Sequence, residues 1–364
     1  MKLTLKKLHN QVMVITGASS GIGLVTARMA AKEGARLVLA ARTEEALRQL
    51  TSEINNAGGE AIYVVADVSQ PADVHRIAQA AIQRFGGFDT WVNDAGVSMY
   101  GKVEEMPIED MRKLFDTNVW GLIYGSLEAV KHLKLRGGTL INIGSVLSEA
   151  TAILQTVYSA SKHAVKGFTD GLRMELEMEG APVAVSLIKP AAIDTPYTLH
   201  AKNFMDREPQ HAPPAYAPEI VADAILHCAE TGQAEVTVGG GGKAITTMAH
   251  YAPRLTDKFM EKVFSRQSKS ARRARPRSDN GLDQAAAQLE ERGNYPGHTR
   301  ETSIYTAATT HPLVAAAVLA GAGVGLAAVM GRLGTGKSGN GNGRKENASN
   351  DNANRQQAST GQPS

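Results

Sequence analysis

Val12-Met13-Val14-Ile15-Thr16-Gly17-Ala18-Ser19-Ser20-Gly21-Ile22-Gly23 is the stretch whose reading decides the fold of this chain. It opens as an apolar, β-branched run, passes through three glycines and continues into a helix-like pattern over 21–33. Glycines at this spacing let the backbone turn tightly and approach a pyrophosphate, while the opening helix turns its unsatisfied N–H groups towards that anion. Gly17, Ser19, Ser20, Gly21, Ile22 and Gly23 are the expected cradle. The bland reading, a tight turn with nothing bound, is opposed by the strand before it and the helix after it.

Outward from this loop the same alternation continues. Apolar runs at 12–16, 36–41, 61–66, 88–92, 139–143, 183–188 and 235–238 are separated by helix-like stretches at 21–33, 43–57, 70–85, 107–135, 156–179 and 218–231. Strand candidates spaced by helices imply an α/β fold, a doubly wound, seven-stranded parallel sheet covered on both faces. No constant period runs through the chain, which argues against a solenoid. With 364 residues, of which 43% are hydrophobic, the chain can bury an ample core. A net charge of +3 is too small to argue for nucleic acid, and none is expected as a partner. The single cysteine, Cys228, excludes an internal disulfide, fits a reducing compartment and reads as a small buried apolar residue. Lys2, Lys6 and Lys7 resemble the charged start of a leader, but no apolar run follows before Asn10, so the start reads as cytoplasmic.

The strand ends carry the next signals. The second strand ends in Ala41-Arg42, where an acid would bind a ribose 2′-OH and an arginine can hold a 2′-phosphate, so NADP(H) is expected in preference to NAD(H). Asp67 and Val68 follow the third strand, where the carboxylate can reach an adenine amino group. Asn93, Ala95 and Gly96 follow the fourth, where small residues let a dinucleotide lie across the sheet. Both also read as ordinary strand-to-helix turns. Further on, Tyr158 and Lys162 are four apart, one helical turn, and an ammonium held near a phenol favours the phenolate. Alone that pair is a weak signal.

Taken together, Thr16-Gly17-x-x-x-Gly21-x-Gly23, Asn93-x-Ala95-Gly96, Asn118, Ser145 and Tyr158-x-x-x-Lys162 resemble the short-chain dehydrogenase/reductase family over about residues 8–240. The resemblance implies one Rossmann-like domain, placed at 1–264, that moves hydride between a nicotinamide and a carbonyl or secondary alcohol. It implies Asn118, Ser145, Tyr158 and Lys162 as the catalytic set. Tyr158 would be the general acid/base, and Lys162 would lower its pKa and bind the nicotinamide ribose. Ser145, favoured over Ser148, would donate to the substrate oxygen, and Asn118 would hold a relay water. Pro190, Ile193 and Thr195 would meet the nicotinamide end, and a homo-oligomer is expected. Two positions depart from the family pattern: Asp94 replaces its usual second asparagine, and Ala191 its glycine after Pro190. The carboxylate is expected to take backbone hydrogen bonds without changing the chemistry. Residues from Tyr197 to Pro218, including Leu199, His200, Phe204, Met205, His211 and Tyr216, read as a lid suited to a medium-sized, largely apolar substrate. His200 and His211 lack companions at ligand spacing, so no metal site is expected. The rival reading is a membrane-associated dinucleotide-binding scaffold or redox sensor, but such proteins tend to lose the Tyr or Lys kept here.

After the proposed domain the character changes. Residues 265–304, with Arg266, Lys269, Arg272, Arg273, Arg275 and Arg277, read as a solvated basic linker. Within 305–332, the segment 313–330 has no charged or polar side chain and as a helix would span roughly 27 Å, near the lower limit for a membrane anchor. Gly331-x-x-x-x-Gly336-Lys337-Ser338 formally matches a phosphate loop but lacks the flanking strand and helix. Residues 333–364 are Gly-, Asn- and Ser-rich and read as disordered, completing a largely non-globular extension.

Overall fold

The computed structural model describes residues 3–285 and 289–311. The sheet is seven-stranded, and every pairing in it is parallel. Its strands are β1 (Val12–Thr16), β2 (Arg36–Ala41), β3 (Glu60–Val65), β4 (Thr90–Asn93), β5 (Gly138–Ile143), β6 (Val183–Pro190) and β7 (Glu235–Val238). Their order across the sheet is β7-β6-β5-β4-β1-β2-β3, which reverses direction beside β1. A crevice opens at the strands' C-terminal ends at such a switch point.

Period-two alternation with both faces covered explains why β1 is apolar from Val12 to Ile15. Met13 and Ile15 face the cluster formed with α1 (Gly21–Lys32), α2 (Glu44–Asn56) and α8 (Pro218–Thr231). Val12 and Val14 face the opposite cluster, formed with α3 (Pro71–Phe85) and α5 (Leu122–Arg136). Fully burying each such side chain contributes about 1.5–3 kcal/mol, so both helix layers are anchored by the same short strands. Punctuation is chemical as well. α3 and α8 each begin with a proline, whose missing N–H costs nothing there, and each ends at a glycine with positive φ, Gly86 (77°) and Gly232 (67°).

The helical stretch expected over 107–135 is not continuous. It begins as α4 (Ile108–Phe115), widens to a π-helical turn over Asp116–Gly121 and resumes as α5. A π-turn inserts a residue into the helical ladder, and such turns cluster at functional sites. Asn118 lies in it.

Residues 265–304 are not a linker. Lys269–Arg273 pairs antiparallel with Arg207–Pro209, Thr299–Arg300 pairs with Ala215–Tyr216, and Ser20 bridges to Glu290. The basic residues find acidic partners carried by the lid: Lys269 reaches Asp206 at 3.2 Å and Arg275 reaches Glu208 at 3.2 Å. Leu282 is buried against the cluster that holds Val97, Met99, Tyr158 and Phe204. Charge density reads as solvation in the sequence, whereas Lys269, Arg272 and Arg275 meet carboxylates of the lid across a fold-back. A further helix, Ile304–Thr310, is capped by Ser303, whose Oγ accepts from Thr306 N at 3.2 Å. Among the described residues no helix is long and apolar enough to cross a membrane. The segment 313–330, the phosphate-loop match and the tail lie outside the described residues.

Candidate active site

A cavity of about 320 Å³ runs along the C-terminal ends of the strands. One end is the glycine loop. Gly17 has φ +74°, and a Cβ there would lie 2.8 Å from Ala95 N; a Cβ on Gly23 would lie 2.4 Å from Gly17 O. Only glycine lets the loop fold this closely, which leaves open space above it for a diphosphate. Gly17, Ser19, Ser20, Gly21 and Ile22 line the cavity, whereas Gly23 lies beneath it as a packing contact.

Beyond the loop, Arg42, Asp67, Val68, Ala95, Gly96, Pro190, Ile193 and Thr195 also line the cavity. Arg42 donates to the carbonyls of Gly281 (2.5 Å) and Gln284 (3.2 Å), both in the fold-back segment. Neutral carbonyls orient the guanidinium without cancelling its charge. Asp67 spends one oxygen on Ser69 N at 2.9 Å. Asn93 does not belong to the cleft. Its Oδ1 accepts from Trp91 Nε1 (2.8 Å), and its Nδ2 donates to Asn142 Oδ1 (2.9 Å) and Ser126 Oγ (3.1 Å). It is a buried pin between β4, β5 and α5, so its side chain is not free for the cofactor contact expected of it. Strand alternation sends its side chain to the face of the sheet covered by α5.

At the other end Ser145, Tyr158 and Lys162 converge on the cavity. Ser145 follows β5 and caps a 3-10 turn, its Oγ accepting from Leu147 N at 3.0 Å. Ser148 turns its Oγ back to accept from Ser145 N at 3.2 Å, and it lies outside the cavity lining. Tyr158 and Lys162 project from one face of α6 (Thr156–Met178), both buried. Lys162 Nζ donates to Ile143 O at 2.8 Å and stands 5.7 Å from the centre of the Tyr158 ring.

The electrostatics correct one expectation. Burial pushes the Tyr158 phenol up to about 12, and the Tyr197 and Ser145 hydroxyls pull it back only in part. Lys162 does not depress it in this arrangement. Burial lowers Lys162 itself to about 8, opposed by the carboxylate of Asp94. Asp94 in turn is raised to about 7 by burial, against the pull of Lys162 and of the Gly23 N–H. The residue that departs from the family pattern thus takes the expected backbone contact and also faces the active-site lysine.

Asn118 is buried but lies outside the cavity lining. Its Oδ1 accepts from Val97 N (2.8 Å), and its Nδ2 donates to Val97 O (2.9 Å) and Ser161 Oγ (3.2 Å). With both amide ends engaged, the side chain clamps the loop after β4. The lid expectation is met in part. Tyr197, His200, His211, Pro213 and Pro214 line the cavity, while Phe204 and Tyr216 are buried elsewhere in the fold. Sequence reading missed the other wall, Ile245, Phe259, Met260, Phe264 and Gln267. The apolar positions recurring between Gly240 and Phe264 were its available signal. Ser98 and Gln155 were missed as well, because no pattern marks them.

A parallel sheet with a glycine loop at its switch point and a Ser, Tyr, Lys set across the crevice is the frame of a nucleotide-binding oxidoreductase. The chain belongs to the short chain dehydrogenase family, whose sequence pattern matches residues 11–205, more than half of its length. It is 50% identical over 323 residues to an uncharacterized oxidoreductase, YxnA, of Bacillus subtilis, covering 88% of this chain and 91% of that protein. It is 36% identical over 195 residues to 11-beta-hydroxysteroid dehydrogenase A of Arachis hypogaea, covering 53% of this chain and 55% of that one. Among solved structures it resembles a short chain dehydrogenase/reductase from Burkholderia phymatum in complex with NAD, with TM-score 0.61, 26% identity and coverage of 70% and 96%. It also resembles an alcohol dehydrogenase from Thermococcus sibiricus complexed with 5-hydroxy-NADP, with TM-score 0.56, 25% identity and coverage of 63% and 95%. These neighbours bind nicotinamide dinucleotides, and that is the cofactor class the cleft fits.

Proposed function

We propose that the protein is an NADP(H)-dependent oxidoreductase that interconverts a carbonyl and a secondary alcohol, with Tyr158 as the general acid/base. The observation that carries this reading is that Ser145, Tyr158 and Lys162 meet at one end of the cavity whose other end is formed by the glycine loop and Arg42. A bound nicotinamide supplies or accepts the hydride. In the reducing direction, Ser145 donates a hydrogen bond to the carbonyl oxygen and Tyr158 delivers a proton to it as the alcohol forms; oxidation reverses both. Lys162, whose Nζ stands 5.7 Å from the centre of the Tyr158 ring, binds the nicotinamide ribose. Asn118 fixes the loop at Val97 and so the floor of the cleft. Pro190, Ile193 and Thr195 border the nicotinamide end.

Arg42 favours NADP(H), because its partners there are neutral carbonyls and a 2′-phosphate meets its charge. The wall of Leu147, Ile245, Phe259, Met260 and Phe264 favours a substrate with a sizeable apolar body. A homo-oligomer is supported by Trp120 and Leu127, exposed on one side of the π-turn and α5, with Tyr124 stacked on Trp120 at 6.1 Å. A non-catalytic dinucleotide sensor is disfavoured by the intact Ser145, Tyr158 and Lys162 set.

A panel of aldehydes, ketones and secondary alcohols, followed by nicotinamide absorbance with each cofactor, tests the proposal. Turnover of bulky apolar carbonyls with a higher kcat/KM for NADPH than for NADH is expected. A clear NADH advantage removes the Arg42 argument, and no turnover with either cofactor removes the enzyme reading.

A further inference from the structure

Tyr197 stands at the start of the short helix α7 (Tyr197–His200), directly after Pro196, and its ring enters the cavity beside Tyr158. The two rings are 5.4 Å apart at 69°, edge to face. Its hydroxyl oxygen already accepts two hydrogen bonds, from Ser98 Oγ at 2.7 Å and from Gln155 Nε2 at 2.9 Å. A phenol has one proton and two acceptor sites. With both acceptor sites filled, the proton of Tyr197 is left to donate, and Tyr158 is the hydroxyl-bearing side chain packed beside it. The ring is held from three sides, by Tyr158, by Tyr100 at 6.4 Å and 74°, and by His211 stacked at 6.0 Å and 23°.

We propose that Tyr197 is a positioning residue for the acid/base, a fixed donor whose O–H is aimed at Tyr158 Oη by Ser98 and Gln155. The inference rests on the reading of Tyr158 given above and extends it. A donor to the phenolate stabilises the charged form, so it makes Tyr158 a stronger acid. Two donors on its own oxygen make Tyr197 a better donor in turn, because hydrogen bonds in a chain polarise one another. Tyr197 itself stays protonated, since burial and the neighbouring Tyr158 and Tyr100 hold its own pKa far above the ordinary phenol value. The direction on Tyr158 agrees: the Tyr197 hydroxyl draws its pKa down against burial, ahead of Ser145.

The other groups facing this pair are few. Lys162 lies on the same helix as Tyr158, and Asp94 faces both from the end of β4. Tyr100 and His211 flank Tyr197, with Asp194 and Tyr295 next to His211. His211 is neutral at physiological pH, its pKa lowered by burial to about 4, so it contributes stacking without charge.

The test is a 13Cζ-tyrosine NMR titration of the full chain with NADP⁺ present, the Tyr158 resonance being assigned by its loss in Tyr158→Phe. Tyr197→Phe keeps the ring and its stacking and removes only the donor. It is expected to raise the Tyr158 midpoint by about 1 pH unit, the scale on which one hydrogen bond moves a titration. Ser98→Ala is expected to raise it less, in the same direction, and serves if Tyr197→Phe does not fold. A merely structural role for Tyr197 leaves the Tyr158 midpoint unmoved or lowers it, and either result overturns the proposal. Turnover of Tyr158→Phe on the carbonyl panel separates the two readings. If that variant stays active, the acid/base assignment is wrong, while the titration still reports whether Tyr197 donates to Tyr158.

Discussion

Asp94 carries a carboxylate into the centre of the site, and its proton is retained to about pH 7 where a free aspartic acid loses it near about 3.9. The sign of the consequence follows from linkage. Between pH 4 and 7 the unfolded chain releases a proton that the folded one keeps, so folding loses stability as pH rises through this window. Urea unfolding of wild type and Asp94→Asn is expected to show a wild-type advantage at pH 4.5 that shrinks by pH 7.5; an advantage that grows would reverse the burial argument. Arg42 is the second single residue on which much depends. Arg42→Ala is expected to weaken NADPH binding about 10- to 100-fold, the loss of a charge-assisted contact of about 1.5–3 kcal/mol, and to leave NADH binding within a few-fold. Fluorescence titration with both cofactors checks it. Ser145, Tyr158 and Lys162 were legible from sequence as cavity residues because helix spacing and a strand end fix where they project. Asn93 and Asn118 were legible as positions but not as roles, since nothing in a sequence says which partners an amide will find once the sheet closes.

At the scale of elements, the strands were readable because each apolar run ends within two residues of its observed limit, and burial on both faces demands such runs. The boundaries of α3 and α8 are legible from their proline starts and glycine stops. The π-turn at Asp116–Gly121 and the fold-back of 265–300 were not readable, because both depend on contacts distant in sequence. The fold-back is tied to the site. Gly21 N donates to Glu290 O at 2.8 Å, and Gly293 N and Thr299 Oγ1 both donate to Asp194, at 3.2 and 3.0 Å. A Cβ on Gly293 would lie 2.5 Å from the carbonyl oxygen of Thr195. Gly293→Ala is therefore expected to lose about 1–3 kcal/mol by overpacking, seen as a lowered Tm, and to weaken NADPH binding through Thr195. An unchanged Tm together with unchanged affinity would show that this segment merely lies beside the cleft.

Over the whole molecule, the family pattern ends at residue 205, yet the relative of Bacillus subtilis matches over 323 residues, so the similarity continues well past the catalytic motifs. The fold-back, the second lid wall and the helix at Ile304–Thr310 all lie beyond the family pattern. One wall of the cavity, Ile245 to Gln267, is built from this later chain, so motifs that end before residue 205 carry no record of its shape. Exposed Trp120 and Leu127 belong to this scale too. Trp120→Asp is expected to convert an oligomer to a monomer in light scattering, whereas an oligomer of unchanged mass would place the interface elsewhere. The central claim, that Tyr158 moves the proton, is tested most directly by assaying Tyr158→Phe beside wild type on the same carbonyl. The account predicts turnover reduced by about 10²–10⁴-fold with NADPH affinity nearly unchanged; turnover retained at the wild-type rate would contradict it.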